Sequence, residues 1–157
     1  MDYSSLLRLV RYVFPNFTDR ALDVLSAAQQ NAAEANDRHV SPEHVLLAIA
    51  NVQQGVGSVA LERLGVDLRR QVKELEALVR ATASKPHEDL PPSFSPETER
   101  LLAAARAEAK ELGHNYVGTE HLVVGLLRCE GPASEYLQRG GLTAAQLRVQ
   151  ILQLLAR

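Results

Sequence analysis

The sequence predicts an all-α fold of two tandem four-helix repeats with pseudo-twofold symmetry, preceded by an extra amphipathic helix at the N-terminus. Three observations support this prediction. The second half of the chain repeats the residue pattern of the first half. No segment shows the alternating Val, Ile and aromatic residues that are typical of strands. Hydrophobic residues make up 46% of the chain but aromatic residues only 4%, which favours closely packed aliphatic helices.

The duplication rests on matched residues at an almost constant spacing. Pairs lie 77 positions apart at first and 76 positions apart after a one-residue deletion in the second copy. An ordered series of this length indicates an internal repeat. The pairs are Phe17/Phe94, Glu34/Glu111, Val40/Val117, Glu43/Glu120 and His44/His121 at the first spacing, and Leu61/Leu137, Arg63/Arg139 and Gly65/Gly141 at the second.

The chain divides into an N-terminal helix at residues 1–16 and a double repeat at residues 17–157. Within the double repeat we predict a first copy at 17–82, a linker at 83–93 and a second copy at 94–157. The linker contains three prolines and cannot continue a helix. The N-terminal helix has an apolar stripe on one face. We expect this stripe to pack against the domain's own surface; docking onto a partner or a second copy is the alternative.

The first helix of each copy is expected to begin after an N-cap, Thr18 in the first copy and Ser95 in the second. Pro96 then occupies the first helical position, where its missing N–H costs nothing. The alanine-rich stretches at residues 21–35 and 98–112 continue these helices, since their apolar residues recur at helical spacing.

The second helix of each copy is expected to begin after Ser41 or Thr119 as its N-cap. The runs at residues 45–50 and 122–127 are almost wholly apolar, which places these helices at the centre of the bundle. Glycines end the short third helices as C-terminal caps. The other predictions are third helices at 58–64 and 133–139, with caps at Gly65 and Gly141, and fourth helices at 67–82 and 143–156.

Composition excludes several classes of function. The net charge is −2 and the basic residues form no stripe, so we expect no nucleic-acid partner. No stretch approaches the roughly 20 apolar residues of a membrane span, and the N-terminus lacks a signal-peptide pattern. The single cysteine, Cys129, fits a reducing compartment. The cytoplasm is therefore the expected location, without a membrane partner.

The sequence offers no support for an enzyme, a metal site or a cofactor. Glu and His are adjacent in the repeated dipeptides at 43–44 and 120–121, and adjacent helical residues point about 100° apart. His114 and His121 are seven positions apart across a loop, which does not match the helical zinc-protease motif. Cys129 follows an arginine at the end of an apolar helix, where a packing role is expected.

Short motifs then point to a family. Residues 114–122 read HNYVGTEHL, which closely resembles the H-N-Y-[IV]-G-T-E-H-[IL] signature of the N-terminal domain of Clp/Hsp100 unfoldases. The opening at 17–21 is similar to F-T-[ED]-R-A, and residues 94–97 are similar to its counterpart in the second repeat. The resemblance covers about residues 17–156. It is closest to the ClpC type and weaker for the ClpA, ClpB and ClpV types.

The resemblance implies a receptor role. Domains of this family sit above AAA+ rings and capture adaptor proteins or substrates for regulated proteolysis or disaggregation, so adaptors, substrates and a Clp ring are the expected partners. A natural-looking Met start and the extra helix favour a stand-alone homologue slightly over an excised domain of a longer unfoldase. The different alternative is a helical protein that binds a small molecule or peptide in the groove between the repeats.

The resemblance also implies residues. In ClpC-type domains the glutamate of each G-T-E-H engages the guanidinium of phosphoarginine; here these are Glu43 and Glu120, with Thr119 and the helix N-terminus near the phosphate. The first copy departs from the motif, because Pro42 replaces threonine and Asp37 adds a negative charge. We therefore favour the site in the second copy.

A second candidate surface is the groove between the first helices of the two copies. Phe17 and Phe94 lie at the starts of these helices, where core packing is their ordinary role. Phe94 follows the proline-rich linker and is the better candidate for an apolar anchor for a partner.

Overall fold

The computed structural model describes residues 13–52, 55–84 and 92–156. Most of the predicted N-terminal helix, residues 1–12, lies outside these ranges. The described residues contain α1 (Asp19–Glu34), β1 (His39–Val40), α2 (Pro42–Asn51), α3 (Val56–Arg63), a 3-10 helix (Leu68–Gln71), α4 (Val72–Ala81), β2 (Ser93–Phe94), α5 (Pro96–Glu111), α6 (Thr119–Arg128), α7 (Pro132–Gln138) and α8 (Ala144–Leu155). The prediction of an all-α double repeat with four helices in each copy is confirmed.

The helix ends follow the predicted capping residues in most places. The N–H of Ala21 donates to Thr18 Oγ1 at 3.1 Å, and the N–H of Thr98 donates to Ser95 Oγ at 3.1 Å. Gly65 has a φ of 85°, a conformation that glycine adopts without a Cβ penalty. The fourth helix of the first copy differs from the prediction, because it begins as the 3-10 helix and becomes α-helical only at α4.

The central helices are α2 and α6. Every residue from Pro42 to Ala50 in α2 is buried, and so is every residue from Thr119 to Leu127 in α6. Glycine permits the close approach of α6 to α5, because a Cβ at Gly125 would lie 2.6 Å from the carbonyl oxygen of Leu101. The apolar runs at the centres of these two helices therefore form the core, as their composition predicts.

Two short strand pairings join the copies, and the sequence did not predict them. Strands β1 and β2 pair in parallel, with Val40 opposite Phe94. A single bridge pairs Phe17 with Val117. Since Phe17 corresponds to Phe94 and Val40 to Val117, the start of each copy pairs with the loop of the other copy. This reciprocal exchange follows the pseudo-twofold symmetry. Strands of two residues are too short to show a period in the sequence.

A buried ion-pair cluster ties α8 to α5 and α6. The Glu108 side chain is fully buried. Arg148 binds its carboxylate in a bidentate manner, with Nε donating to Oε2 at 2.9 Å and Nη2 to Oε1 at 2.7 Å. Arg128 Nη1 lies 3.2 Å from Glu108 Oε1. Burial alone would raise the pKa of Glu108, but the two arginines outweigh it and lower the pKa below its usual range.

Candidate functional site

The predicted partner-binding glutamates lie in the first turns of α2 and α6, where the motifs of the two copies differ. Ser41 is the N-cap of α2, as predicted. In α6 the N-cap is Gly118, and Thr119 is the first helical residue. The prediction of Thr119 as the cap is therefore wrong. Its hydroxyl instead accepts the N–H of Gly57 at 3.0 Å, which joins the start of α3 to the start of α6.

Each copy also fixes a buried histidine at the third position of its central helix. In the first copy the Ser41 N–H donates to His44 Nδ1 at 3.2 Å. Because Nδ1 accepts, Nε2 carries the proton of the neutral ring, and Nε2 lies 2.9 Å from Asp37 Oδ2. Asp37 is thus buried beside His44. Its other oxygen accepts the Ser84 N–H at 3.0 Å.

The second copy repeats this arrangement with a different partner. The Gly118 N–H donates to His121 Nδ1 at 2.9 Å, and His121 Nε2 lies 2.9 Å from His114 Nδ1. His114 occupies the position that Asp37 occupies in the first copy. Burial, with a contribution from His114, lowers the pKa of His121 to about 4, so this ring is neutral at pH 7. The two histidines that the sequence separates by a loop are therefore hydrogen-bonded partners.

Glu120 is buried beside this pair, with a residue exposure of 3%. The Tyr116 hydroxyl donates to its Oε2 at 3.4 Å. The side chain folds back over Gly118, where a Cβ would collide with the carboxylate. Burial raises the pKa of Glu120 above its ordinary value, although the helix backbone, His114 and Tyr116 partly offset the effect.

Glu43 occupies the corresponding position in the first copy but lines an open cavity. We call this space of about 490 Å³ the Glu43 cavity; it is bordered by His39, Glu43, Ser95, Glu97, Arg100 and Glu130, among others. Burial raises the pKa of Glu43, and the Glu97 carboxylate adds to the shift. No cation among the described residues lies within ion-pair distance of Glu43. The first copy, which the sequence disfavoured, thus has a glutamate that borders a cavity.

Phe17 and Phe94 belong to an aromatic cluster whose third member is Phe14, a residue of the apolar stripe predicted for the N-terminal helix. The Phe14 ring centroid lies 4.9 Å from that of Phe17 and 5.9 Å from that of Phe94. Phe17 is buried and Phe94 is half-buried. The Arg106 guanidinium carbon lies 5.4 Å above the Phe14 ring and 5.5 Å above the Phe17 ring, within the range of cation–π contacts.

A second open space lies beside this cluster. This aromatic–basic cleft has a volume of about 430 Å³ and is lined by residues that include Phe14, Arg106, Lys110, His114 and Tyr116. It lies between the start of the first copy and the loop before α6. The spacing Phe14–Phe17 and the i,i+4 spacing of Arg106 and Lys110 are the sequence signals for it.

The thiol of Cys129 is not poised for nucleophilic chemistry. It donates to the Leu126 carbonyl oxygen at 3.0 Å. Burial raises its pKa to about 11, so it is a neutral thiol at pH 7. Among the described residues, no group of three or more His, Cys, Asp and Glu side chains is arranged to hold a metal ion.

The described residues include no single helix long and apolar enough to cross a membrane. One consecutive pair, Pro42–Asn51 and Val56–Arg63, reaches that length and composition only when both helices are taken together across an 87° bend.

Comparison with known proteins identifies the family. The family described as the Clp repeat (R) N-terminal domain matches residues 16–155. The chain belongs to this family. Over 144 residues, 91% of the chain, it is 33% identical to the chaperone protein ClpB of Oceanobacillus iheyensis. It is 34% identical over the same share to the negative regulator of genetic competence ClpC/MecB of Bacillus subtilis. The resemblance seen in the motifs is confirmed, and ClpC proteins are among the relatives of this Clp N domain.

Solved structures agree on the fold. The N-domain of ClpV from Vibrio cholerae is 16% identical and has a TM-score of 0.75, with 99% of this chain and 90% of that chain covered. The Hsp104 N-terminal domain from Candida albicans is 18% identical with a TM-score of 0.72, and 88% and 91% of the two chains are covered. The chain spans only 17% of the length of the ClpB and ClpC relatives.

Proposed function

We propose that this Clp N domain is a non-enzymatic protein-capture module that binds adaptors or substrates for a Clp AAA+ ring in regulated proteolysis or disaggregation. The observation that carries the proposal is the match of residues 16–155 to the Clp N-terminal repeat. A ClpV N-domain of similar fold has been solved in complex with a VipB peptide, which supports a peptide-binding role for this architecture. Expected partners are proteins, and the cytoplasm remains the predicted location.

A domain exchange tests the proposal. The chain replaces the N-terminal domain of the Bacillus subtilis ClpC relative, and ATP-dependent unfolding of a fluorescent substrate is compared with that of a ring without any N-domain. We expect the exchanged protein to process a set of substrates or adaptor-delivered substrates that the truncated ring does not. Identical activity of both proteins across all substrates, with the exchanged domain folded, would contradict a capture role.

Recognition of phosphoarginine-marked proteins is a second, finer proposal. It assigns the guanidinium to Glu43 or Glu120, and the phosphate to the helix start that includes Thr119 in the second copy. The two buried carboxylates have raised pKa values and no Arg or Lys partner among the described residues, which supports this assignment because a guanidinium would neutralise them. The Glu43 cavity also brings Arg100 and Ser95 near such a ligand, whereas Glu120 is 3% exposed.

Isothermal titration with free phosphoarginine separates the two copies. If both sites are active, Glu43→Gln and Glu120→Gln each remove one of two binding events. If phosphoarginine binds only at the Glu43 cavity, Glu43→Gln alone abolishes binding. Thr119→Val tests the phosphate contact of the second copy without a change of charge. If titration of the wild-type domain produces no heat of binding, the proposal of phosphoarginine recognition is rejected. Capture of unmodified proteins then remains as the proposed function.

Phe94 is proposed as an apolar anchor, supported by its half-buried side chain beside Phe14 and Phe17. The Phe94→Leu variant keeps most of the apolar volume, so a loss of partner affinity without a change in the unfolding midpoint indicates direct contact.

The alternative function is the binding of a small molecule. The volumes of the Glu43 cavity and of the aromatic–basic cleft lie within the usual range of about 300–1,000 Å³ for small-molecule sites. A rise in the unfolding temperature on addition of small amphiphiles, together with failure of the domain exchange, would favour the small-molecule-binding function.

A further inference from the structure

Backbone hydrogen bonds beside the aromatic–basic cleft join the segment before α1 to the loop before α6. The Thr18 N–H donates to the Val117 carbonyl oxygen at 2.9 Å, and the Val117 N–H donates to the Asn16 carbonyl oxygen at 2.9 Å. These bonds fix the segment at 13–17 against the loop at 114–117, and α5 contributes Arg106, Ala109 and Lys110 between them. The two walls therefore keep their spacing without a ligand, so little ordering cost opposes binding.

The charge of the cleft is opposite in sign to that of the whole chain. The net charge of the chain is −2, yet the described residues that line the cleft include Arg106 and Lys110 and no carboxylate. Both cations are exposed. Neither lies within ion-pair distance of a carboxylate in the part of the chain that the structure describes. The two charges are thus available to an anionic group of a ligand.

The same cleft presents apolar surface directly beside these charges. The Arg106 guanidinium lies against the faces of Phe14 and Phe17, which orients it and leaves its N–H edges for a carboxylate. On the opposite wall the Tyr116 ring stacks on His114, with 5.1 Å between ring centroids and 12° between ring planes. A ligand that matches this surface combines aliphatic or aromatic side chains with neighbouring carboxylates.

We infer that the aromatic–basic cleft binds an acidic, apolar segment of a partner protein, with an apolar side chain between Phe14 and Tyr116 and carboxylates on Arg106 and Lys110. The inference rests on the proposed capture function and names the chemistry of the captured segment. A cleft with two cations also disfavours basic segments, because like charges would be brought together as the peptide docks.

Fluorescence anisotropy with two labelled ten-residue peptides tests the inference on the whole chain. One peptide alternates leucine with glutamate, and the other alternates leucine with lysine. We expect the acidic peptide to bind on the order of tenfold more tightly, and Lys110→Glu to weaken it on the order of tenfold, because reversal replaces an attraction by a repulsion. Lys73→Glu makes the same change of charge on the exposed face of α4, and we expect it to leave the affinity unchanged.

Three results would overturn the inference: equal affinity for both peptides, equal effects of the Lys110 and Lys73 variants, or equally tight binding of a polyglutamate peptide without leucine. Failure of the capture function is separable. If the acidic peptide binds and Lys110→Glu weakens its binding, but the ring with the exchanged domain gains no substrate, the peptide site in the cleft is supported and the capture function is rejected. If the exchanged ring gains substrates and Lys110→Glu changes neither their processing nor peptide binding, capture stands and the cleft assignment fails.

Discussion

At the residue scale, the two buried histidines show how one structural position accepts different partners. His44 Nε2 lies beside the Asp37 carboxylate and His121 Nε2 donates to His114, but in both copies Nδ1 accepts a backbone N–H at the helix start. This bond requires a neutral ring, because protonation of Nδ1 would place two donors face to face. The conserved geometry within the chain is therefore that of a cap, and the change from Asp37 to His114 alters only its second partner.

The low pKa of His121 makes stability depend on pH. The folded ring titrates at about 4 and an unfolded histidine at 6.5, so as pH falls below 6.5 the unfolded state takes up a proton first and stability decreases. Between pH 7.5 and 5.0 this single group accounts for about 2 kcal/mol of lost stability. The amide oxygen of glutamine can accept the Gly118 N–H but does not titrate. We therefore expect the stability of His121→Gln to fall by about 2 kcal/mol less than that of the wild type between these pH values.

Urea unfolding at both pH values measures this difference. The raised pKa values of Glu43 and Glu120 act in the opposite direction, since the folded state binds their protons more readily, but they are present in both proteins. Comparison of the two pH dependences therefore isolates His121. Equal losses of stability in the wild type and the variant would show that the ring is protonated in the folded state as easily as in the unfolded one.

At the element scale, close helix contacts depend on single glycines. A Cβ at Gly125 would lie 2.6 Å from the Leu101 carbonyl oxygen, and main-chain atoms of α5 cannot move aside without a shift of the helix. We expect Gly125→Ala to reduce the free energy of unfolding by about 1–3 kcal/mol through overpacking. Gly140→Ala is the matched control, because no atom lies within 4 Å of its added Cβ. Equal stability of the two variants would mean that α5 and α6 adjust freely.

The attachment of α8 depends on Arg148. Arg148→Met leaves the fully buried Glu108 with Arg128 alone, and we expect a loss of about 2–4 kcal/mol in denaturant unfolding. Arg70→Met removes an exposed pair with Asp67 and should cost less than about 0.5 kcal/mol. The carboxylate has a lowered pKa, so its contribution is complete above pH 4.5 and is lost as pH falls below that value. If Arg148→Met lowers the free energy of unfolding by no more than Arg70→Met does, Arg128 alone is sufficient to compensate the buried charge of Glu108.

The elements also show which features a sequence reveals. Helix starts at Thr18 and Ser95 were predictable because a cap is a local interaction between neighbouring residues. Thr119 was assigned wrongly as a cap because its hydroxyl has a distant partner, Gly57, that local spacing does not indicate. The cleft and the Glu43 cavity likewise combine residues of both copies, so no single motif contains them.

At the scale of the whole molecule, the reciprocal pairing makes the two copies one folding unit. Phe17 of the first copy pairs with Val117 of the second, and Phe94 of the second pairs with Val40 of the first. Helix α3 also packs against α6 and α8, across the boundary between the copies. Either copy alone would expose the buried face that the other covers, and its strand residues would lose their partners.

Cleavage of the covalent link tests this interdependence. A specific protease site is inserted into the predicted linker at 83–93, and the folded protein is cut there. We expect the two fragments to elute together in gel filtration with unchanged helical circular dichroism, because the contacts across the boundary do not need the linker. Unfolding should then become dependent on protein concentration, since it now releases two chains. Fragments that separate in native buffer, each with its helical signal and cooperative unfolding intact, would instead show two autonomous domains, and the cleft between them would then open whenever the copies part.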